Sequence, residues 1–209
     1  MKSVTYAAMA GIATLAFSGI THASTTITFD DIASFGSGVL TGISSTGYNF
    51  EGDHFHMINT FDPRIVSSGS NYLASEVASV TMTNASGSLF NLIGLEVAEL
   101  WLPSESFNNF SDVILTGDQF GGGILSTSFH LDGIRDGVGG VNDFEWAAIG
   151  WTNLVSVSIT GMNSSGAFGD YSIDSISVSP VPEPQTNAML AAGLGLMSLL
   201  ARRRKESTE

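Results

Sequence analysis

The chain has 209 residues, no cysteine and a formal net charge of −13 at pH 7. The lack of cysteine excludes thiol catalysis, thiolate zinc sites and disulfides. Residues 24–184 contain two arginines and 18 carboxylates, a net charge of −16, which argues against binding to nucleic acid or to anionic lipid. A chain of this length is expected to form one domain once its processed ends are set aside.

The first 23 residues have the pattern of a secretory signal peptide. Lys2 supplies the positive charge, residues 6–20 form an apolar segment, and Ala23 is the small residue that precedes the predicted cleavage point. Gly11 and Gly19 interrupt the apolar segment and disfavour a helix of the folded domain. We therefore predict cleavage after Ala23 and export of the remaining chain.

Residues 24–179 are predicted to form an all-β domain, because short alternating segments are separated by turns rich in glycine and serine. The predicted strands are 25–30, 48–50, 53–58, 71–74, 79–83, 89–102, 112–116, 124–131, 154–160 and 171–179. Residues 89–102 could also form a helix, but Gly94 within them favours an extended segment. Residues 31–47 and 132–143 are predicted loops, and residues 144–148 form a short strand or a turn. In the strand 154–160, Val155, Val157 and Ile159 are predicted to share the buried face. The pattern favours an antiparallel β-sandwich of the jelly-roll type.

The C-terminal segment has three parts. Residues 180–187 form a linker around Pro182-Glu183-Pro184, where proline interrupts regular structure because it lacks an N–H. Residues 188–205 are predicted to form a hydrophobic transmembrane helix that ends in a basic stop. The stop consists of Arg202, Arg203, Arg204 and Lys205, residue types that are retained on the cytoplasmic side of a membrane.

The apolar part of this helix is short for a permanent anchor. Its 14 uncharged residues, 188–201, would span about 21 Å as a helix, less than the roughly 30 Å hydrocarbon core. Gly193 and Gly195 lower its helix propensity further. A transient membrane segment is therefore favoured, and a plain C-terminal anchor is the alternative.

This order of parts resembles the PEP-CTERM sorting signal of Gram-negative bacteria. The resemblance rests on Val181, Pro182, Glu183 and Pro184, on the glycine-containing apolar helix and on the arginines that follow. It implies that an exosortase, a membrane-embedded cysteine transpeptidase, recognises the segment and cuts near Pro-Glu-Pro. It also implies that the protein then moves to the cell surface or into the exopolysaccharide matrix.

A second resemblance concerns the predicted β domain. The stretches TITFDD, GWTNLVSVSIT and YSIDSISVS are similar to the bodies of many PEP-CTERM proteins, which in turn resemble galactose-binding-like and carbohydrate-binding-module sandwiches. In modules of that shape, acidic residues of the first and last strands hold a structural Ca²⁺. The resemblance therefore implies a structural Ca²⁺ at Asp30, Asp31 and Asp174, since calcium takes several carboxylate and carbonyl oxygens. The alternative is that Asp30 and Asp31 are turn residues and Asp174 is a solvated outward position.

Three tryptophans are candidates for stacking against a sugar ring, because a flat aromatic face suits a pyranose. Trp101 is followed by Leu102-Pro103 and is predicted to be the most exposed, so it is the candidate carbohydrate-binding residue. Trp151 precedes an alternating strand and is predicted to lie in the core. Packing in the core or at its rim is the alternative for all three, including Trp146.

Two histidines, His54 and His56, would share one face of a strand and, with Asp53, could bind a transition metal. With no third ligand in view, exposed histidines beside a loop are the favoured interpretation.

No catalytic residues are predicted. Acid pairs such as Glu96 with Glu99 and Asp143 with Glu145 are expected by chance among 18 carboxylates. The favoured function is a non-enzymatic, exported protein of the cell surface or extracellular matrix, which could bind exopolysaccharide. The alternative is an exported lyase or hydrolase acting on glycans, since a fold does not decide function. The enzyme would require a cleft with converging acids or an Arg/His/Tyr set.

Overall fold

A computed structural model describes residues 23–33, 38–59, 65–76, 78–101, 112–131, 144–163, 165–182 and 190–198. Within these ranges the chain forms eleven β-strands and one helix, α1, at residues 190–198. The strands are β1 (Thr25–Ile27), β2 (Leu40–Ser45), β3 (Tyr48–Ile58), β4 (Tyr72–Ser75), β5 (Ser79–Asn84), β6 (Phe90–Ala98), β7 (Asp112–Gln119), β8 (Gly123–His130), β9 (Glu145–Met162), β10 (Phe168–Gly169) and β11 (Tyr171–Pro180). The predicted all-β fold class is confirmed.

The described strands pair antiparallel and form the two layers of a β-sandwich. One layer has the order β2-β3-β5-β9-β7-β8, and the other has the order β1-β11-β6-β9. Strand β9 belongs to both layers, because Glu145–Leu154 pairs with β6 and Leu154–Met162 pairs with β7. On the opposite side, β4 pairs with both β3 and β11. The two layers are thus joined by hydrogen bonds at both sides.

The core lies between these layers. Phe50 of β3 and Phe90 of β6 are fully buried, and the Tyr48 and Phe90 rings meet across the core with centroids 5.5 Å apart. Val80 and Met82 face the same core, as their spacing predicts. The first and last strands are neighbours, with Thr25 opposite Val178, so the two ends of the domain are held together.

The strand β2 lies inside the predicted loop 31–47, and that prediction is wrong for residues 40–45. Its sequence, LTGISS, offers little apolar alternation because β2 pairs with β3 alone and most of its residues are at least partly exposed. Only Ser45 of β2 is buried, so few positions of this edge strand require an apolar side chain.

The strand β9 is longer than predicted. It runs for 18 residues and includes the segment 144–148 from Glu145 onward, because its first half pairs with β6 before its second half pairs with β5 and β7. Val155 is 48% exposed, so its predicted place in the core is wrong, and Leu154 is buried instead. The reason is a register shift opposite Asp118 and Gln119, next to Asn153 with a φ of 57°.

The predicted signal peptide, except for Ala23, and the predicted loop 132–143 lie outside the described residues.

Candidate functional site

The C-terminal linker leaves the sandwich at the end of its last strand. Strand β11 ends at Pro180, and the Val181 N–H donates a hydrogen bond to the Leu89 carbonyl over 3.2 Å. Val181 and Pro182 are partly exposed. Glu183, Pro184 and the basic residues Arg202, Arg203, Arg204 and Lys205 lie outside the described residues. The Pro-Glu-Pro motif therefore begins two residues after the β-sheet ladder ends.

The helix α1 keeps its apolar side chains exposed. All nine of its residues are exposed, among them Leu194 at 49% and Met197 at 68%. In the core of the sandwich, residues of the same type are fully covered. Across the described ranges, no helix has the length and apolar character that crossing a membrane requires.

Asp30 and Asp31 occupy the turn that follows β1. The Asp31 carboxylate accepts hydrogen bonds from the Ser45 hydroxyl at 2.5 Å and from the Thr46 N–H at 3.0 Å. The Ser45 hydroxyl is the main cause of a lowered pKa at Asp31. Asp30 accepts the Asn71 N–H at 3.1 Å. Both side chains thus stabilise loop backbone and hold the start of the domain against its neighbours.

Asp174 of β11 is in a different environment. It is 2% exposed, so the alternative of a solvated outward position is wrong. Its carboxylate accepts the Ser70 hydroxyl at 3.0 Å and the Ser175 N–H at 2.7 Å. Burial raises the pKa of Asp174, and the nearby Glu96 carboxylate adds to that rise.

The three aspartates proposed for calcium thus hold separate hydrogen-bond partners. In the described residues, the carboxylate oxygens of these three aspartates do not come within 4.8 Å of one another as a group of three ligands. The calcium site at Asp30, Asp31 and Asp174 stays a prediction.

The most exposed of the three tryptophans is not the one that was predicted. Trp101 is only partly exposed, packs against a second buried cluster, and donates its indole N–H to the Asp170 carboxylate at 2.8 Å. Its predicted role in carbohydrate binding stays a prediction. Trp151 packs against the main core, as expected. Trp146 is the exposed one, at 51%.

Trp146 lies on the outer face of the β11-β6-β9 layer. Its ring covers Gly94, where a Cβ would overlap both the ring and the Ala147 carbonyl. Directly opposite on β6 is Glu96, which in turn lies opposite Asp174 on β11. An aromatic face and a partly exposed carboxylate therefore stand side by side on adjacent strands.

A groove of about 650 Å³ borders the other layer. The described residues that line it include two carboxylates, one imidazole and one exposed aromatic ring: Glu51, Asp53, His54 and Phe168. Neither arginine nor tyrosine is among its described lining residues. Of the two sets that the enzyme alternative could use, the described lining offers two acids for the first and only the histidine of the Arg/His/Tyr set.

The sequence pattern predicted His54 and His56 as a pair but not their third partner, and Asp53 is not part of the group that the structure brings together. His54 and His56 of β3 both face the carboxylate of Glu76, at 3.4 and 3.6 Å from their Nε2 atoms. Glu76 follows β4 directly, and pairing the predicted strands 53–58 and 71–74 as neighbours would have placed it there. The position of Glu76 could therefore have been predicted from the sequence, but only with the correct pairing of the two strands.

Comparison with known proteins gives one match to a family, and it lies in the C-terminal segment. No curated protein matches the chain. Among solved structures, the chain is similar to the K2 cleaved adhesin domain of Lys-gingipain, with 10% identity, 76% of this chain and 99% of that chain covered, and a TM-score of 0.44.

The chain is also similar to TmCBM61, solved in complex with β-1,4-galactotriose. The identity is 14%, 65% of this chain and 90% of that chain are covered, and the TM-score is 0.38. A third similar structure is the family 11 carbohydrate-binding module of the cellulosomal cellulase Lic26A-Cel5E of Clostridium thermocellum. The identity is 12%, 77% of this chain and 98% of that chain are covered, and the TM-score is 0.34. Residues 180–205 match the PEP-CTERM protein-sorting motif, so the chain carries the sorting signal of an exported protein.

Proposed function

We propose that an exosortase cuts this exported protein near Pro182-Glu183-Pro184 and releases the sandwich to the cell surface or extracellular matrix, where it has a non-enzymatic role. The observation that carries this proposal is the sorting motif at residues 180–205. The exposed apolar face of α1 supports it, because such a helix gains stability only when a membrane or a partner covers it.

The position of the motif also supports cleavage there. The β11 ladder ends at Pro180, so a cut near Pro184 would leave every described strand of the sandwich in the product. The released part would keep the pairing of β1 with β11 and the whole core. Cleavage there would therefore leave the described strand pairings intact.

Substitutions in the motif test the proposal. We expect Pro182→Ala and Glu183→Ala to leave full-length protein in the membrane fraction, whereas the unaltered protein is recovered in a shortened form outside the cell. Pro103→Ala is the matched control, because it removes a proline outside the sorting motif at residues 180–205, and we expect it to be processed as the unaltered protein is. Processing of both motif variants at the normal rate would contradict the proposal.

We also propose that the exported protein binds a neutral exopolysaccharide through Trp146. The exposed ring offers a stacking face, and Glu96 opposite it can accept hydrogen bonds from sugar hydroxyls. The net charge of −16 over residues 24–184 disfavours an acidic polymer.

Binding can be measured by affinity electrophoresis in gels that contain the host's exopolysaccharide. Trp146→Ala is expected to abolish retardation, because it removes the stacking face. Phe168→Ala is the matched control, since Phe168 is a comparably exposed aromatic residue, at 57%, on another strand. Equal retardation of the Trp146→Ala variant and the unaltered protein would contradict the assignment to Trp146.

A further inference from the structure

We propose that His54, His56 and Glu76 form a binding site for a divalent first-row transition-metal ion, of which Zn²⁺ is the probe. The three residues are the one group of three potential metal ligands found in the described ranges, with ligand atoms all within 4.8 Å of one another. Two imidazoles and one carboxylate are a ligand set that suits zinc and similar ions.

The spacing of the ligand atoms fits such an ion. Two ligands that each lie about 2.0–2.1 Å from a tetrahedral zinc are about 3.3 Å from each other. The His54 Nε2 atom lies 3.4 Å from one Glu76 oxygen, and the His56 Nε2 atom lies 3.6 Å from the other. Both histidine–carboxylate distances are therefore close to the separation expected around a bound ion, and the ligand atoms of the two imidazoles lie within 4.8 Å of each other.

His56 is held in the orientation that a ligand needs. Its Nδ1 atom is 3.0 Å from the Gly38 carbonyl, which can only accept, so Nδ1 carries the proton of the neutral ring and the Nε2 lone pair is left for a metal. His56 is 8% exposed, and its Nε2 atom is buried without a hydrogen-bond partner in the described part of the chain. A buried polar atom without a partner destabilises the fold, and a bound metal would satisfy it.

The fold brings the ligands together through an irregularity in β3. The β2–β3 register shifts between Leu40, which lies opposite Phe55, and Gly42, which lies opposite Glu51. As a result Phe50 and Phe55 both reach the core, although they are five residues apart, and His54 and His56 lie on the outer side. The Glu76 N–H donates to the His54 carbonyl over 3.1 Å, which fixes Glu76 beside the histidines.

The arrangement leaves one face of the site open. The side chains of His54 and Glu76 are 42% and 35% exposed, so solvent can reach the ion from their side. Three protein ligands leave a fourth tetrahedral position for water or for an oxygen of another molecule. A simple ion pair between protonated histidine and Glu76 is the competing explanation of the same contacts, and it requires no metal.

Zinc titration of the purified full-length protein distinguishes the two explanations. We expect calorimetry at neutral pH to show one Zn²⁺ per chain, and Co²⁺ to give the visible absorption of a tetrahedral nitrogen–oxygen site. His54→Gln and Glu76→Gln are each expected to weaken Zn²⁺ binding at least tenfold. These two side chains are partly exposed, so their replacement should leave the fold intact, which circular dichroism checks.

His130→Gln is the matched control. His130 also faces a carboxylate, with its Nδ1 atom 3.3 Å from Asp112, but it is 71% exposed and has no second imidazole beside it in the described residues. This variant should bind Zn²⁺ as the unaltered protein does. No stoichiometric binding, or binding that is unchanged in His54→Gln and Glu76→Gln, would overturn the proposal.

Discussion

The sandwich and the C-terminal helix α1 place similar apolar side chains in opposite environments. In the sandwich, Phe50 and Leu154 are fully buried between two layers that are hydrogen-bonded at both sides. In α1, Leu190 and Leu194 are each 49% exposed. The sandwich therefore covers its own apolar surface, whereas the helix depends on something outside the domain to cover its apolar surface. If the segment is removed as proposed, the described strands of the sandwich keep their own core.

The largest expected effect comes from deleting a buried ring. Phe50→Ala should lower the free energy of unfolding by about 3–5 kcal/mol, because it opens a cavity between the layers. Leu194→Ala should leave the unfolding transition of the sandwich unchanged. Urea unfolding of the purified full-length protein, followed by tryptophan fluorescence, measures both. Equal destabilisation by the two substitutions would contradict the independence of helix and sandwich.

A smaller effect is expected from substituting Gly161 of the sandwich, for which Gly195 of α1 is the matched comparison. Gly161 of β9 has no room for a side chain, since a Cβ would lie 2.5 Å from the Gly169 carbonyl oxygen and 2.7 Å from the Tyr171 ring. Gly161→Ala should therefore cost about 1–3 kcal/mol through overpacking. Gly195 of α1 has nothing within 4 Å of that position.

Gly195→Ala should raise the helicity of the segment, since glycine is about 1 kcal/mol less favourable than alanine inside a helix. The unfolding midpoint of the sandwich should stay the same, as measured by thermal melting at a wavelength that reports β-structure. A stability loss in Gly195→Ala comparable to that in Gly161→Ala would show that α1 packs on the domain.

The fold class could be predicted because most strands show a regular alternation. Val80 with Met82 in β5, and Leu125 with Phe129 in β8, point to one side as their spacing requires. The predictions were wrong where strand pairing, and not the spacing of apolar residues, determines which side chains are buried. Strand β2 has little alternation because it lies at an edge, and the register shift at Leu154 moves Val155 to the surface.

The sites were less predictable than the fold, because they depend on contacts between distant parts of the sequence. The sorting motif is contiguous, so it could be identified from Pro182-Glu183-Pro184 and the segments that follow. The exposure of Trp146 depends on Gly94 of a neighbouring strand, 52 positions away in the sequence. The third ligand beside His54 and His56 is Glu76, which alternation alone does not bring to them.

The most direct test of the central claim is the mass of the protein recovered from the cell surface and medium, with its C-terminal peptide sequenced. We expect a chain that ends at or near Pro184 and lacks α1 and the arginines that follow it. Exported protein that retains residues through Glu209 would contradict cleavage by an exosortase.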